Sequence, residues 1–312
     1  MSDLRLITSL DINIEPVTRK RLLFSRFETV KDLLNIDINT LSEELRIPYV
    51  EAFDILEQVK KRPRIETRNH EIQLNRISTL SNSFDQLLGG GVQLGKITEF
   101  YGTLTVGKTT LGIQLCVNVQ IPDCLNGPQG EALFIDTEGT FYPSRAQEIA
   151  RETASIIPVK FGMDEDTILS KVHVKRVVHY LGLTFELFKD SALKNFIKDH
   201  SIKLIVIDSI SYLFSQIHDI KMRTRLLNKF SQDLTKFVTE FDLAIVLLNQ
   251  LTTKIEKSER SESWGHHSTN RIELYWHNEI RCAKLIKSPY SDNKKPIQYQ
   301  INMGGIRDYF NK

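Results

Sequence analysis

The sequence predicts an α/β domain with a mainly parallel sheet and an antiparallel C-terminal extension, preceded by a small all-α domain. From about Ile72 onward, continuous apolar runs of strand length alternate with helix-like segments, which is typical of a parallel sheet covered on both faces. After Arg271 the pattern changes to strand–turn–strand, which predicts the antiparallel part. Residues 1–62 show no strand-like alternation and are predicted to be helical.

Length and composition agree with this organisation and exclude other classes. The chain has 312 residues, of which 41% are hydrophobic and 26% charged, so wholesale disorder and fibrous repeats are excluded. No window approaches the roughly 20 consecutive apolar residues of a membrane helix, and the N-terminus has no signal-peptide core. The net charge of +2 does not by itself identify a nucleic-acid-binding protein.

Cysteines and histidines do not predict a zinc site. The three cysteines, Cys116, Cys124 and Cys282, are odd in number and have no metal-ligand spacing, which favours a reducing compartment over a disulfide framework. His266 and His267 have no acidic or thiolate partner at ligand spacing.

The N-terminal 62 residues are predicted to form short helices. Pro16 can open the first helix, and Val30–Leu34 predicts a second. Thr40 and Glu43 have the spacing of a capping box for a third helix. Ala52–Val59 predicts a last helix, whose apolar face would hold Phe53, Leu56 and Val59.

Domain boundaries follow from the change in pattern. We expect a helical domain over 1–62, a polar linker over 63–76 and the α/β domain over 77–312. The basic run Lys60–Arg64 is either a solvated helix end, favoured by the helix dipole, or a nuclear import signal.

The strands of the α/β domain are predicted from seven apolar runs. A helix over Thr109–Val119 follows the first of them. The predicted strands are Lys96–Tyr101, Glu131–Asp136, Lys203–Asp208, Leu243–Asn249, Ile272–Trp276, Ile280–Ile286 and Ile297–Asn302.

A glycine-containing turn between the first strand and its helix matches the phosphate-loop pattern G-x-x-x-x-G-K-[ST]. Backbone N–H groups of such a loop face phosphate oxygens at a helix N-terminus. Lys108 would neutralise the β- and γ-phosphates, and the Thr109 hydroxyl would ligate Mg²⁺. The alternative is a chance glycine turn. The residues expected to contact the nucleotide are Gly102, Thr103, Leu104, Thr105, Val106, Gly107, Lys108, Thr109 and Thr110.

Polar side chains at the ends of three further strands could complete a phosphate-hydrolysing site. Asp208 is placed to hold Mg²⁺ through water, unless it only caps a turn. Glu138 or Asp136 could orient and deprotonate an attacking water, and their spacing does not choose between them. The amide pair Asn249-Gln250 could sense the γ-phosphate or simply satisfy backbone groups.

Two segments could contact DNA phosphates, or could be ordinary mobile surface loops. Ser211–Arg225 has a local charge of +2, with Asp219 opposing three basic residues, Lys221, Arg223 and Arg225. In Thr252–Glu262 three glutamates cancel the three basic residues Lys254, Lys257 and Arg260.

The order of these motifs resembles that of RecA-type recombinases. Further segments are similar to one eukaryotic branch of that family, the C branch of the Rad51 paralogues. They are Val119–Cys124, Gly130–Ala132, Arg223–Asn228, Thr252–Ile255, Glu262–His266 and Lys287–Pro289. The resemblance extends from about Leu4 to Tyr309, and implies a helix-hairpin-helix-like N-terminal domain joined to a RecA-type P-loop ATPase core.

The resemblance also implies roles for individual residues. ATP and Mg²⁺ would bind at Gly102–Thr109, with Asp208 as the second metal-holding residue. Glu138 rather than Asp136 would be the catalytic carboxylate, acting with Lys108 and Gln250. Arg145 would stack on the adenine. The two residues expected near the nucleotide of a neighbouring subunit are His266 and Pro289.

The implied function is homologous-recombination repair of DNA double-strand breaks in the nucleus. Members of the branch act in hetero-oligomers of recombinase paralogues and help the main recombinase to load on single-stranded DNA, with no membrane involved; branched DNA is a further expected substrate. One alternative is a strand-exchange recombinase that forms its own filament. Another is an ATP-binding scaffold with little hydrolysis, and a small-molecule P-loop kinase is a more distant one.

The sequence departs from the family pattern at several positions. Thr105 stands where the branch usually has glycine, which bears on ATP affinity. Arg26 and Arg46 occupy turns of the N-terminal domain that usually hold glycine, so close approach of the backbone to a phosphate is expected to be harder. The linker has no Phe-x-x-Ala, which weakens the expectation of a homofilament. The branch's basic C-terminal tail is not seen, which weakens the expectation of the usual import signal and leaves Lys60–Arg64 as its substitute.

Overall fold

The computed structural model describes residues 36–60, 76–157, 161–250, 268–289 and 295–309, together with the isolated residues 18, 21, 22, 25, 27 and 33. The chain divides into two compact units. One comprises Met1–Leu74 with Asp123–Asn126, and the other Asn75–Pro122 with Gly127–Lys312. The helix predicted at Pro16, most of Val30–Leu34 and most of the basic run Lys60–Arg64 lie outside the described residues.

The first described helix of the N-terminal unit, α1 (Ile38–Leu45), is capped by Asp37 and not by Thr40 as predicted. The Asp37 carboxylate accepts the backbone N–H groups of Asn39 and Thr40 at 3.0 and 3.1 Å. An extended aspartate before the first turn satisfies donors that have no partner inside the helix. Thr40 therefore lies inside the helix, where its hydroxyl donates to the cap.

The second helix, α2 (Tyr49–Lys60), is longer than predicted and buries two of the three predicted residues, Leu56 and Val59. Phe53 is 44% exposed, contrary to the prediction. Four other residues of α2 recur at the i, i+3, i+4, i+7 spacing of one helix face, from which Phe53 is displaced by one position. These four buried residues are Ala52, Ile55, Leu56 and Val59.

The turn after α1 keeps a conformation that glycine adopts most easily. Arg46 ends the helix with φ +50°, in the left-handed region, and its N–H donates to the Glu43 carbonyl at 3.3 Å. That conformation costs a residue with a Cβ about 1–2 kcal/mol. Arg46 therefore adopts the left-handed backbone conformation that a glycine would adopt at this turn, although it carries a side chain.

The larger unit is built on a nine-stranded sheet of order β11-β10-β9-β8-β3-β7-β6-β4-β5. The pairs from β8 through β3 to β5 are parallel, and those from β8 to β11 antiparallel. A separate antiparallel pair joins β1 and β2. The strands are β1 (Arg76–Ile77), β2 (Val92–Gln93), β3 (Ile97–Gly102), β4 (Glu131–Asp136), β5 (Val172–Arg176), β6 (Ile202–Asp208), β7 (Ala244–Gln250), β8 (Asn270–His277), β9 (Ile280–Lys287), β10 (Ile297–Asn302) and β11 (Gly305–Asp308).

The predicted fold class is confirmed, and two edge strands are additions to it. β5 and β11 close the sheet at its two sides, and neither was predicted. β5 is partly exposed along its length and so lacks the continuous apolar run that marks the central strands. Arg76, the last residue of the predicted linker, is the first residue of β1, while residues 61–75 lie outside the described ranges.

Helices cover both faces of the sheet. Successive residues of β6 enter different cores: Val206 packs on one face, and Ile205 and Ile207 on the other. The first face is covered by α3 to α6, the second by α7 to α10. The helices are α3 (Asn82–Leu87), α4 (Lys108–Asn118), α5 (Pro143–Ile156), α6 (Glu165–Ser170), α7 (Tyr180–Phe188), α8 (Ser191–Asp199), α9 (Ile210–Ser215) and α10 (Ile220–Phe241). A 3-10 turn at Asp123–Leu125 belongs to the other unit.

The parallel register brings the ends of four strands to one edge of the sheet. Gly102 at the end of β3 pairs with Gln250 at the end of β7, and Asp136 at the end of β4 pairs with Asp208 at the end of β6. Ligand sites in open α/β sheets lie at this carboxyl edge. Among the described residues, no helix has both the length and the apolar character that crossing a membrane would require.

Candidate active site

The phosphate loop joins β3 to α4 with glycine where a side chain would not fit. A Cβ on Gly102 would collide with the Leu274 carbonyl of β8. Gly107 has φ +97° and caps α4 without a side-chain hydrogen bond, which leaves the first amides of the 11-residue helix free for a ligand. The positive end of the helix dipole then faces the loop, which favours phosphate.

Lys108 lies inside the loop and is only 8% exposed. Its Nζ donates to the carbonyls of Gly102 at 2.9 Å and Thr103 at 2.7 Å. Burial lowers the pKa of Lys108, while the carboxylates of Asp208 and Glu138 oppose that shift. Asp208 and Glu138 therefore favour the charged form of the Lys108 ammonium group. This group lies where the phosphates of a bound nucleotide are expected.

The Thr109 hydroxyl and the Asp208 carboxylate meet directly. Thr109 Oγ1 donates to Asp208 Oδ2 at 2.6 Å, and Thr140 Oγ1 donates to the same oxygen at 3.1 Å. Burial raises the pKa of Asp208 to about 6, with a further contribution from Glu138, although both hydroxyl hydrogen bonds lower it. Hydroxyl and carboxylate oxygens are the donors that Mg²⁺ prefers, so this pair fits the metal of a nucleotide site.

Glu138 follows β4, and both of its carboxylate oxygens have partners at the site. Gln250 Nε2 donates to Oε2 at 2.8 Å, and the Ser209 hydroxyl donates to Oε1. Thus an acid after β4, an amide at the end of β7 and a hydroxyl after β6 are in contact. This arrangement holds one carboxylate in a defined orientation beside Asp208.

Asp136, the competitor of Glu138, is occupied by the turn that follows β4. Its Oδ1 accepts the backbone N–H groups of Glu138, Gly139 and Thr140 at 3.1, 2.6 and 3.1 Å. The same oxygen also accepts from Arg176 Nη1 at 2.9 Å. Since Asp136 is 6% exposed and its acceptor capacity is used, it is suited to shaping this turn.

The two amides at the end of β7 have different surroundings. Asn249 Nδ2 donates to the Glu99 carboxylate at 2.8 Å, and its oxygen accepts from the Ser211 N–H at 3.1 Å. Glu99 in turn forms an ion pair with Arg271 at 3.0 Å and is 2% exposed. Asn249 is therefore built into the sheet, whereas Gln250 faces Glu138.

Three site residues were missed by sequence reasoning. Thr137 is fully buried, and its hydroxyl donates to the carbonyls of Asp208 and Ser209, both at 3.0 Å. Ser209 bonds Glu138, and Thr140 bonds Asp208. Small hydroxyl residues directly after two predicted strands were the available signal, but such residues are also common in ordinary turns.

Comparisons with known proteins agree with this geometry. The Rad51 family model matches residues 70–309, more than half of the chain. The chain is 34% identical to "DNA repair protein RAD51 homolog 3" of Cricetulus griseus, over 95% of this chain and 90% of the relative. It is 35% identical to the Dictyostelium discoideum protein of the same name, over 88% of this chain and 74% of the relative. The chain belongs to the Rad51 family.

The chain is also similar to a protein that is named RadA. The chain is 26% identical to "DNA repair and recombination protein RadA" of Aeropyrum pernix, over 95% of this chain and 94% of that protein. Rad51-family proteins are generally ATPases that use ATP with Mg²⁺. The phosphate loop and the Thr109–Asp208 pair described above provide the groups that such chemistry uses.

Thr105, expected to stand where the branch usually has glycine, has a backbone conformation that favours glycine and side-chain contacts that a glycine lacks. It has φ +63°, a left-handed conformation that is unfavourable for a β-branched residue. Its hydroxyl donates to the Leu104 carbonyl at 2.7 Å and accepts from Trp276 Nε1 at 3.3 Å. A glycine would adopt this backbone without strain but would lack both contacts.

Arg145, expected to stack on adenine, is tied to neighbouring groups of the Rad51-family core. Its guanidinium forms an ion pair with Glu148 and donates to the carbonyls of Asn302 and Met303. These contacts fix the start of α5 against the β10–β11 turn. The adenine contact stays a prediction.

The first basic segment is not a loop, in contrast to the expectation. It consists of α9, a short connection and the start of α10, whose N-cap is Asp219. Lys221 and Arg225 are exposed on α10. Arg223 is 7% exposed and donates to the Ile217 carbonyl at 3.5 Å, so it does not fit the predicted phosphate contact.

The remaining predicted contacts belong to a segment that the structure does not describe. Residues 251–267 begin directly after Gln250, at the end of β7. The expectations that lie there concern Lys254, Lys257, Arg260, His266 and His267, and they stay predictions.

Proposed function

We propose that the protein is an ATP-dependent, DNA-binding mediator of homologous-recombination repair of DNA double-strand breaks. It acts in the nucleus, in a hetero-oligomer with other recombinase paralogues, and helps the main recombinase to load on single-stranded DNA. In this proposal residues 1–62 form the helical N-terminal domain and 63–75 the linker, while the ATPase core spans 76–312 because Arg76 is the first residue of β1.

The observation that carries the proposal is the contact of Glu138 with Gln250 beside the phosphate loop. A phosphate loop alone would fit many nucleotide-binding proteins. A fixed carboxylate held by an amide at the end of a neighbouring strand adds a group for water activation and a group that can respond to the γ-phosphate. In a chain similar to proteins named for DNA repair, this supports a working ATPase over a passive scaffold.

Each residue of the proposed ATP site has a distinct task. Lys108 donates hydrogen bonds to the carbonyls of Gly102 and Thr103 when no nucleotide is bound. When ATP binds, contacts with the β- and γ-phosphates replace these hydrogen bonds. Thr109 and Asp208 would hold Mg²⁺, which would supply positive charge at the phosphates. Glu138 positions the attacking water and accepts its proton. Gln250 responds to the presence or absence of the γ-phosphate. This response changes the DNA affinity of residues 251–267, which follow it in the chain.

DNA binding is proposed to use exposed cations on α10 together with the segment after β7. Lys221 and Arg225 lie within the first two turns of α10 and are accessible to a phosphate backbone. Phosphate contacts need accessible, uncompensated cations, which excludes Arg223 from this set.

ATP turnover by the purified full chain, measured with and without single-stranded DNA, tests this function. We expect DNA to increase turnover, and we expect the double variant Lys221→Ala/Arg225→Ala to lose most of that increase with its DNA-free turnover unchanged. The matched control is Lys236→Ala, which removes another exposed lysine of α10 and is expected to behave as wild type. Fewer phosphate contacts should also reduce the salt dependence of DNA binding by about one unit of slope per cation.

The same measurement separates the proposal from its alternatives. A chain that binds ATP but shows no turnover with DNA, either alone or in the complex recovered with its partners, would be a scaffold and would contradict the proposal. Unchanged stimulation in the double variant would remove α10 from the DNA-binding surface.

A further inference from the structure

A cluster of potential metal ligands lies at the opposite end of β4 from the ATP site. Glu131 begins β4, His173 lies on the neighbouring strand β5, and His200 ends α8. Within the part of the chain that the structure describes, this is the one group of three histidine, cysteine or acidic side chains whose ligand atoms lie within 4.8 Å of one another. Five residue steps along a strand separate Glu131 from Asp136, which corresponds to about 17 Å.

The three side chains converge on one oxygen atom. His173 Nε2 lies 2.7 Å and His200 Nδ1 3.2 Å from Glu131 Oε2. A tetrahedral Zn²⁺ with bonds of about 2.0–2.1 Å places its ligand atoms roughly 3.3 Å apart, so small side-chain movements would admit the ion. Each imidazole would then carry its proton on its other ring nitrogen.

The surroundings favour a defined site over a chance meeting of surface groups. The side chains of Glu131 and His173 are 21% and 23% exposed, and that of His200 is 42% exposed. The Phe196 ring lies 4.8 Å from the His173 ring and 4.2 Å from the His200 ring, so it restricts both imidazoles. An apolar ring beside metal ligands limits the access of solvent to them.

A cavity of about 240 Å³ beside the cluster leaves room for a fourth ligand. Glu131 and His200 line it, together with Gln120, Gln129 and Asp199, and Lys171 contributes a charge opposite to that of Asp199. With neutral imidazoles the three ligands carry one negative charge, which suits a divalent cation. Imidazole ligands select a transition metal over Mg²⁺.

We propose that Glu131, His173 and His200 form a binding site for a divalent transition metal, with Zn²⁺ as its representative ion and an open fourth position toward the cavity. The ion would join β4, the edge strand β5 and the end of α8. The site is independent of the ATP site, and its ligands come from three separate elements.

Zinc binding by the full chain tests this site. After removal of metals with a chelator, Zn²⁺ is titrated without nucleotide against a chromophoric chelator that reports the number bound per chain. We expect His173→Ala and His200→Ala each to bind one Zn²⁺ fewer per chain than wild type over the range of zinc concentrations in which the wild-type site fills. The loss in affinity should exceed the roughly 10- to 100-fold cost of losing an outer-layer partner.

The control variant is His277→Ala, which removes an exposed histidine at the end of β8 and should keep the wild-type number of bound ions. Should His173→Ala not fold, Glu131→Gln and His200→Gln keep side chains of similar size and should lose the same equivalent. Zn²⁺ should also raise the melting temperature of wild type and not that of these variants. Equal zinc numbers in wild type and every cluster variant would overturn the proposal and leave a hydrogen-bonded cluster only.

Discussion

Replacing Lys108 with alanine is expected to weaken ATP binding by about 100-fold or more. Hydrogen bonds to charged groups contribute about 1.5–3 kcal/mol each, and Lys108 would contact two phosphates. No other lysine or arginine in the described part of the phosphate loop can replace it, because Gly102–Thr109 contains this one cation. Binding of a fluorescent ATP analogue to the purified chain measures the effect.

The matched control for this experiment is Lys236→Ala, an exposed lysine of α10, which should bind ATP as wild type does. Circular dichroism of both variants shows whether the fold is retained. A folded Lys108→Ala protein with wild-type affinity would mean that ATP does not bind in this loop.

Replacing Glu138 with glutamine is expected to lower ATP turnover by about 10²–10⁴-fold while ATP binding is retained. Glutamine keeps the size of the side chain and can still bond Gln250 and Ser209, but it cannot accept the proton of the attacking water. Single-turnover hydrolysis, together with a binding measurement, separates the chemical step from affinity.

Asp136→Asn provides the contrast for Glu138→Gln. Asp136 accepts four backbone N–H groups and Arg176, so this change should lower the melting temperature more than it lowers turnover per folded molecule. If Glu138→Gln hydrolysed ATP at the wild-type rate and Asp136→Asn did not, the catalytic assignment would pass to Asp136.

Sequence reasoning predicted the elements whose patterns are local and strong. The apolar runs ending at Asp136 and Asp208, with the phosphate loop between Gly102 and Thr109, predicted both the parallel sheet and the edge at which the site lies. Spacing left Asp136 and Glu138 as equal candidates, and only the family resemblance favoured Glu138. The three-dimensional contacts supply the physical difference, since one carboxylate is used by a turn and the other faces Gln250.

Features that depend on contacts between distant segments could not be predicted in this way. The burial of Arg223 follows from the packing of α10, and a basic residue in a polar run gives no sign of it. Likewise Glu131, His173 and His200 are far apart in sequence and become neighbours only through strand pairing and the end of α8. Asp37 caps the first described helix instead of Thr40, and sequence does not rank the two, since both residue types cap well and they lie only three residues apart.

In the proposed function, the ATP site controls the affinity for single-stranded DNA through the contact between Glu138 and Gln250. The most direct test compares single-stranded DNA affinity with ATP and with ADP, in wild type and in Gln250→Ala. We expect a clear difference between the two nucleotides in wild type and nearly equal affinities in the variant, with ATP still bound. A Gln250→Ala protein that keeps the wild-type ratio of the two affinities would contradict the proposed role of Gln250.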